Sequence, residues 1–227
     1  MACETVASHL GILAGLQSEA RCLSGSGHTI ALSGARLDGA RRAAQRLIAA
    51  GATRLLSFGM AGGLDPALAP GTLLLPTHLL MPDGRSVQVD AAWHARALAL
   101  LAPLHPVTTA MAGTDQAIAT AAAKAALCAR THASAVDMES HVLAEVAPHL
   151  PFLILRAVAD SAGDALPPAA LVGIKPDGST DLVAVLGSVL RHPGQIAALM
   201  RLGKAAADAE ATLRAAVRLG WTALSRG

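Results

Sequence analysis

The chain has 227 residues, a net charge of +2 and 53% hydrophobic residues, which is enough to bury a large core and is most simply one domain. So small a charge argues against a nucleic-acid partner, no apolar run approaches the length of a membrane span, and the start lacks the pattern of a signal peptide, so a cytoplasmic location is expected. Cys3, Cys22 and Cys128 are widely spaced and read as reduced, mostly buried thiols, with no disulfide framework and no metal spacing. Aromatic residues are only 2% and tyrosine is absent. A pocket for a flat ring must therefore be built from backbone, methionine and aliphatic side chains.

In chain order, Leu10–Gly15, Thr29–Ser33, Thr53–Gly59, Gly71–Pro76, Val107–Ala112 and Phe152–Ala159 are predicted strands. Most are apolar on both faces, as in a central sheet covered by helices. Leu37–Ala50, Ala91–Leu101, Gln116–Arg130 and Met138–Ala147 are predicted helices. This alternation points to an α/β protein with one three-layer α/β/α domain spanning residues 1–227. From Leu182 onward two further helices are expected, broken at His192-Pro193-Gly194. In that tail Arg191, Arg201, Lys204, Arg214, Arg218 and Arg226 outnumber Asp208 and Glu210 six to two. The plain reading is a basic, solvated helix face that packs its alanines and leucines on the domain; the sharper one is a peripheral membrane contact.

Five segments carry the chemistry. In Gly11–Glu19 a buried strand ends in a small-residue turn, and Glu19 falls in the first turns of a helix. It suits activation of a water, a grip on a ribose hydroxyl, or simply the helix dipole. Ser57-Phe58-Gly59-Met60-Ala61-Gly62-Gly63 lets a ligand approach the main chain after a buried strand. Ala112–Ile118 joins a strand to a helix; Asp115 reads as a cap, and backbone at Ala117 and Ile118 suits a purine edge. In Asp137-Met138-Glu139, Asp137 reads as a helix N-cap and Met138 offers an apolar face to a sugar. Glu139 can accept hydrogen bonds from two vicinal hydroxyls. Finally, Asp160 closes a buried strand, as a loop cap or as a general acid of raised pKa. Arg156, within that strand, needs a carboxylate partner or a subunit contact.

In this order and spacing the segments resemble the purine nucleoside phosphorylase and nucleosidase superfamily, and especially the methylthioadenosine/S-adenosylhomocysteine nucleosidases. Ala165–Val172, Asp177-Gly178, Val185–Ser188 and Arg191–Gln195 resemble the hopanoid-associated phosphorylase branch. The resemblance implies a mixed central sheet and cleavage of the N-glycosidic bond of adenosylhopane, with adenine leaving. It gives Asp160 the purine N7 proton, Glu139 the ribose hydroxyls with Met138 beside them, Ala117 and Ile118 the adenine edge, and Gly59, Met60, Ala61 and Gly62 the base and sugar. Glu19 is placed near the attacking water. No metal or other cofactor is implied, with phosphate as the candidate co-substrate. Ser57 and Met60 stand where the phosphorylases keep their phosphate-binding arginine and serine, which leaves Arg36, Arg41 or Arg42 as replacements or as surface charge. Water and phosphate both remain open, with family grounds leaning toward phosphate. The implied substrate is an adenine nucleoside with a hydrophobic 5′ substituent, and a homodimer is expected. The alternatives are a methylthioadenosine-type or general purine nucleosidase, and a non-catalytic nucleoside or lipid sensor.

Overall fold

The computed structural model describes residues 9–220. Cys3 and Arg226 lie outside them. Strand β1 (Leu10–Ala14) is buried throughout. Helix α1 (Gln17–Cys22), β2 (Thr29–Leu32) and α2 (Leu37–Ala49) follow, and then the ten-residue β3 (Arg54–Gly63). β1 pairs in parallel with β2 on one side and β3 on the other. Three short strands come next: β4 (Leu73–Leu74), β5 (His78–Leu80) and β6 (Ser86–Gln88). Helix α3 (Ala91–Leu101) starts where the Asp90 carboxylate accepts from the Trp93 N–H at 2.7 Å. The remaining elements are β7 (Ala110–Gly113), α4 (Ala121–Thr131), β8 (Ala135–Asp137), α5 (Ser140–Val146), β9 (Phe152–Asp160), α6 (Pro168–Val172), α7 (Leu182–Arg191) and α8 (Ile196–Arg218).

Among the described residues all nine strands form one mixed sheet, in the order β2-β1-β3-β8-β7-β5-β6, with β9 on β3 and β4 on β9. The length of β3 makes this branching geometry. Its residues from Leu55 to Ala61 run parallel to β9, the register shifts between Ala61 and Gly62, and Gly62 and Gly63 then pair antiparallel with β8. β3 thus splays open where the sheet divides, and a cleft forms there. Helices α2 and α5 pack together on the sheet, as do α1 and α8. This agrees with the expected α/β architecture.

The structure moves several expected boundaries. β5, β6 and β8 have three residues each, too short for a legible alternation. Gly71–Pro76 contains only the two-residue β4, and the strand expected from Val107 begins at Ala110. α4 begins at Ala121 rather than Gln116, because the Thr120 hydroxyl caps the Ala123 N–H at 3.2 Å. The helix expected from Met138 starts at Ser140, because Asp137 ends strand β8. α7 and α8 break at the expected place, in a 3-10 turn over Pro193–Gln195. The leucines of α7, however, do not pack on the domain: Leu182, Leu186 and Leu190 are 72%, 65% and 80% exposed. Cys22 is buried and Cys128 half-buried.

One close approach fixes the site in advance. A Cβ on Gly39, in the first turn of α2, would fall 1.8 Å from the Ser33 carbonyl oxygen. Gly39→Ala should push α2 off β2, cost about 1–3 kcal/mol by overpacking, and displace Ser33; a thermal melt reads the loss as a lower Tm.

Candidate active site

The floor of the cleft is built around Arg156. It sits in β9 opposite Gly59 of β3 and is fully buried. A guanidinium taken out of water needs counter-charge and acceptors. It finds Asp137 Oδ2 at 2.6 Å, Glu139 Oε2 at 3.2 Å, the Ser57 hydroxyl at 2.7 Å and the Met60 carbonyl at 3.3 Å. Asp137 also accepts from the Ser140 N–H at 3.2 Å. It is therefore an ion-pair partner at a strand end, not the predicted helix N-cap. Its contact with Ser140 does still tie the start of α5 to the same charge.

Two further carboxylates stand above this floor, both buried. Glu19 Oε2 accepts from the Gly15 and Leu16 N–H groups at 2.7 and 2.9 Å, and Oε1 accepts from the Met60 N–H at 2.8 Å. The carboxylate is therefore clamped between the β1–α1 turn and β3. Glu139 Oε1 accepts from the Ser33 hydroxyl at 3.1 Å, and Oε2 accepts from Arg156. A Cβ on Gly15 would approach Glu139 Oε1 at 3.1 Å and Glu19 Oε2 at 3.2 Å, so the two acids flank the same small turn. A carboxylate offers about four acceptor sites. Glu19 uses three and Glu139 uses two, which leaves one for a water and two for vicinal hydroxyls.

Asp160 is the third acid, at the end of β9. The amino group of Lys124, itself buried in α4, contacts its Oδ2. Lys124 also donates to the carbonyls of Ser161 at 2.7 Å and Asp164 at 3.0 Å, which holds the loop after β9. Burial raises the Asp160 pKa above the ordinary carboxyl value and outweighs the downward pull of Lys124. Burial also raises that of Glu19 against the pull of Arg156. Glu139 is pushed up to about 7, first by burial and then by Asp137 and Glu19, against Arg156.

These acids open on one cavity of about 220 Å³. Glu19, Met60, Ala61, Gly62, Ala117, Ile118, Met138, Glu139 and Asp160 all line it, as the sequence suggests, together with Gly15, Leu16, Ala35, Thr114, Val136, Leu166 and Ile174. No aromatic side chain is among them. Gly59 is a correction. It does not line the cavity but lies under Glu19, at φ +150°, where a Cβ would sit 2.5 Å from the Glu19 carboxyl. Ser57 is also away from the cavity, buried against Arg156 and Ser140. Asp115 does not cap α4 but meets His141 Nε2 at 3.0 Å. Lys124 and Ser33 are missing from the sequence reading. A lysine inside an alanine-rich helix is the one signal for the first, once read as a buried cation rather than a solvated one.

Among the described residues no Lys, Arg or His side chain lines the cavity. Arg36 and Arg42 pair with Asp38, and Arg41 with Glu145, all on the surface. They are surface charge and do not rebuild an anion site.

The raised acids carry a cost in stability that depends on pH. Glu139 binds its proton more tightly in the folded chain than at its ordinary value of 4.5. Its contribution is therefore complete below that value and is lost as pH rises through about 7. Glu19 acts in the same direction. The Tm should fall between about pH 5 and pH 8. Glu139→Gln should remove part of that fall and melt higher than the native chain at the upper pH, since Asp137 still neutralises Arg156. Melts across the pH range check it; equal slopes for the two proteins would contradict it.

Known proteins place this geometry. The model of the phosphorylase superfamily matches residues 22–171. The Helicobacter pylori 5′-methylthioadenosine/S-adenosylhomocysteine nucleosidase, in a structure with 5′-methylthioadenosine in its active site, superposes with a TM-score of 0.66 at 19% identity, covering 93% of this chain and 98% of that one. A putative nucleosidase of the same kind from Francisella philomiragia gives 0.66 at 17% identity, covering 93% and 99%. The futalosine hydrolase of Helicobacter pylori gives 0.64 at 18%, covering 93% and 98%. No curated protein matches significantly. With two thirds of its length matched by the family model and the same fold in these enzymes, the chain belongs to the phosphorylase superfamily.

Proposed function

We propose that the protein hydrolyses the N-glycosidic bond of an adenine nucleoside carrying an apolar 5′ substituent, with water rather than phosphate as nucleophile. The observation that carries this is the charge of the cavity wall. Glu19, Asp137, Glu139 and Asp160 line it, with no cationic side chain among the described residues. A phosphate dianion brought there would face carboxylates and no free cation, since Arg156 and Lys124 are already taken by those acids, at a large desolvation cost. An oxocarbenium-like sugar is instead stabilised by the same wall. The nucleosidase and hydrolase neighbours support this choice.

Each role follows from spare hydrogen-bonding capacity. Glu139 receives two ribose hydroxyls on the acceptor sites that Ser33 and Arg156 leave. Glu19 accepts from the attacking water and takes its proton as the C1′–O bond forms. The C1′–N9 bond breaks with its electron pair going to the purine, and Asp160 delivers a proton to N7. Lys124 anchors Asp160 through Oδ2, so the other oxygen faces the base. Ile118 and Met60 cover the ring. The cavity of about 220 Å³ is smaller than the roughly 300–1,000 Å³ of pockets that enclose a drug-sized ligand. A long 5′ chain therefore leaves it past Ile174, which both lines the cavity and is 40% exposed. The sequence resemblance suggests adenosylhopane as that long-chain substrate; methylthioadenosine is the short-chain one that the structural neighbours suggest.

Incubation of the protein with methylthioadenosine, longer 5′-alkylthioadenosines and adenosylhopane, with and without phosphate, tests the proposal. Adenine should appear equally in both conditions, and kcat/KM should rise with chain length. Release only with phosphate would overturn it. Asp160→Asn should lower kcat about 10²–10⁴-fold. Lys124→Met should lower kcat with KM little changed. It should also shift the basic limb of the pH–rate profile upward, because the lysine holds the Asp160 pKa down. Lys124→Arg should recover part of the rate.

A further inference from the structure

Helix α7 is inside out. Its serine, Ser188, is buried and accepts from Gln195 Nε2 at 3.1 Å, while Gln195 Oε1 accepts from the Ala169 N–H at 2.9 Å. Four of its six large apolar side chains are turned to solvent: Leu182, Val183, Leu186 and Leu190 are 65–82% exposed, while Val185 and Val189 are half-buried. Ile196 and Met200 extend this face onto α8, at 48% and 72%. A contiguous patch of this kind on a chain otherwise well packed marks a surface made for something other than water. Neither helix is both long and apolar enough to cross a membrane by itself; the two reach that length and composition only as a pair, bent by 116° at the break between them.

The charge identifies the partner. From Leu182 to Ala207 there is no Asp or Glu, while Arg191 and Arg201 are exposed; Lys204 is exposed too, paired with Asp208 at 2.8 Å beyond the stretch. A second copy of the chain, related by a two-fold axis, would set these cations against themselves. An anionic lipid surface complements them and takes up the leucines between them. We infer that α7 and the first turns of α8 dock on an anionic bilayer, with the polar Ser188–Gln195 side turned to the protein. On α6, which packs against α7, Leu171 and Val172 are also exposed, and Ile174 just beyond them lines the cavity. Docking therefore brings the mouth to the lipid surface, where an apolar 5′ chain would be held. That consequence rests on the function proposed above; the docking itself does not.

Flotation of the full chain with vesicles tests it. The chain should float with vesicles of phosphatidylglycerol and phosphatidylcholine, and much less with phosphatidylcholine alone or in high salt. Leu186→Asp with Leu190→Asp should lower the bound fraction about tenfold or more, with Tm and turnover of methylthioadenosine unchanged, because both leucines are already in solvent. Arg191→Glu with Arg201→Glu should abolish the preference for anionic lipid. No binding of the native chain to anionic vesicles at low salt would overturn the inference. So would equal binding by the leucine variant. A concentration-dependent dimer that the leucine variant dissociates, without vesicle binding, would give the face to a second copy instead. Absence of nucleosidase activity, with flotation intact, would remove the proposed function and leave the docking standing.

Discussion

A fully buried guanidinium must be neutralised within the fold, and Arg156 is neutralised by the residues that make the cleft. Its ion pairs with Asp137 and Glu139 join β9 to β8 and to the residue before α5, and its bonds to Ser57 and Met60 join it to β3. Removing Arg156 itself would cost about 3–5 kcal/mol, because both acids would be left buried without counter-charge. The same cation pulls the Glu19 pKa down against burial. One side chain thus ties together the splayed sheet, the Glu139 carboxylate and the electrostatics of Glu19 above it. The Arg156 Nε remains without a hydrogen-bond partner among the described residues, so even this network is not fully satisfied.

The remaining pieces of the cleft are set by close backbone approaches. Gly39 lets α2 reach Ser33, Gly15 fits between Glu19 and Glu139, and Gly59 lies beneath the Glu19 carboxyl. The acids are therefore fixed by main-chain contacts from several elements, which restricts their freedom before any ligand arrives. The burial that raises their pKa values destabilises the ionised fold. Stability and a site rich in carboxylates are in opposition here, as they are at many functional sites.

Much of this is visible in the sequence, for a physical reason. β1, β3 and β9 are buried, mostly apolar runs that lead into chemistry-bearing residues, so both the strands and their acids are legible. The pairing of β3 with β8 is not. β8 has three residues and is followed directly by Met138 and Glu139, so Asp137 looks like a helix cap while it serves as the partner of Arg156. Gly59 looks like a place for ligand because glycine after a strand invites approach; the approaching group is the Glu19 carboxyl. Lys124 is hidden because a lone lysine in an alanine-rich helix looks solvated, and only the fold shows that this face of α4 meets the end of β9. The leucines of α7 follow an ordinary helical pattern, and sequence periodicity cannot say that the apolar face is the outer one.

The central claim is that a carboxylate-walled cavity without a cation on its surface delivers water to the sugar. It is tested most directly by running the reaction in ¹⁸O-labelled water with phosphate in excess, and weighing the sugar product. The predicted product is a free sugar carrying one heavy oxygen at C1′. A phosphorylated sugar without the label would show that phosphate is the nucleophile and contradict the assignment.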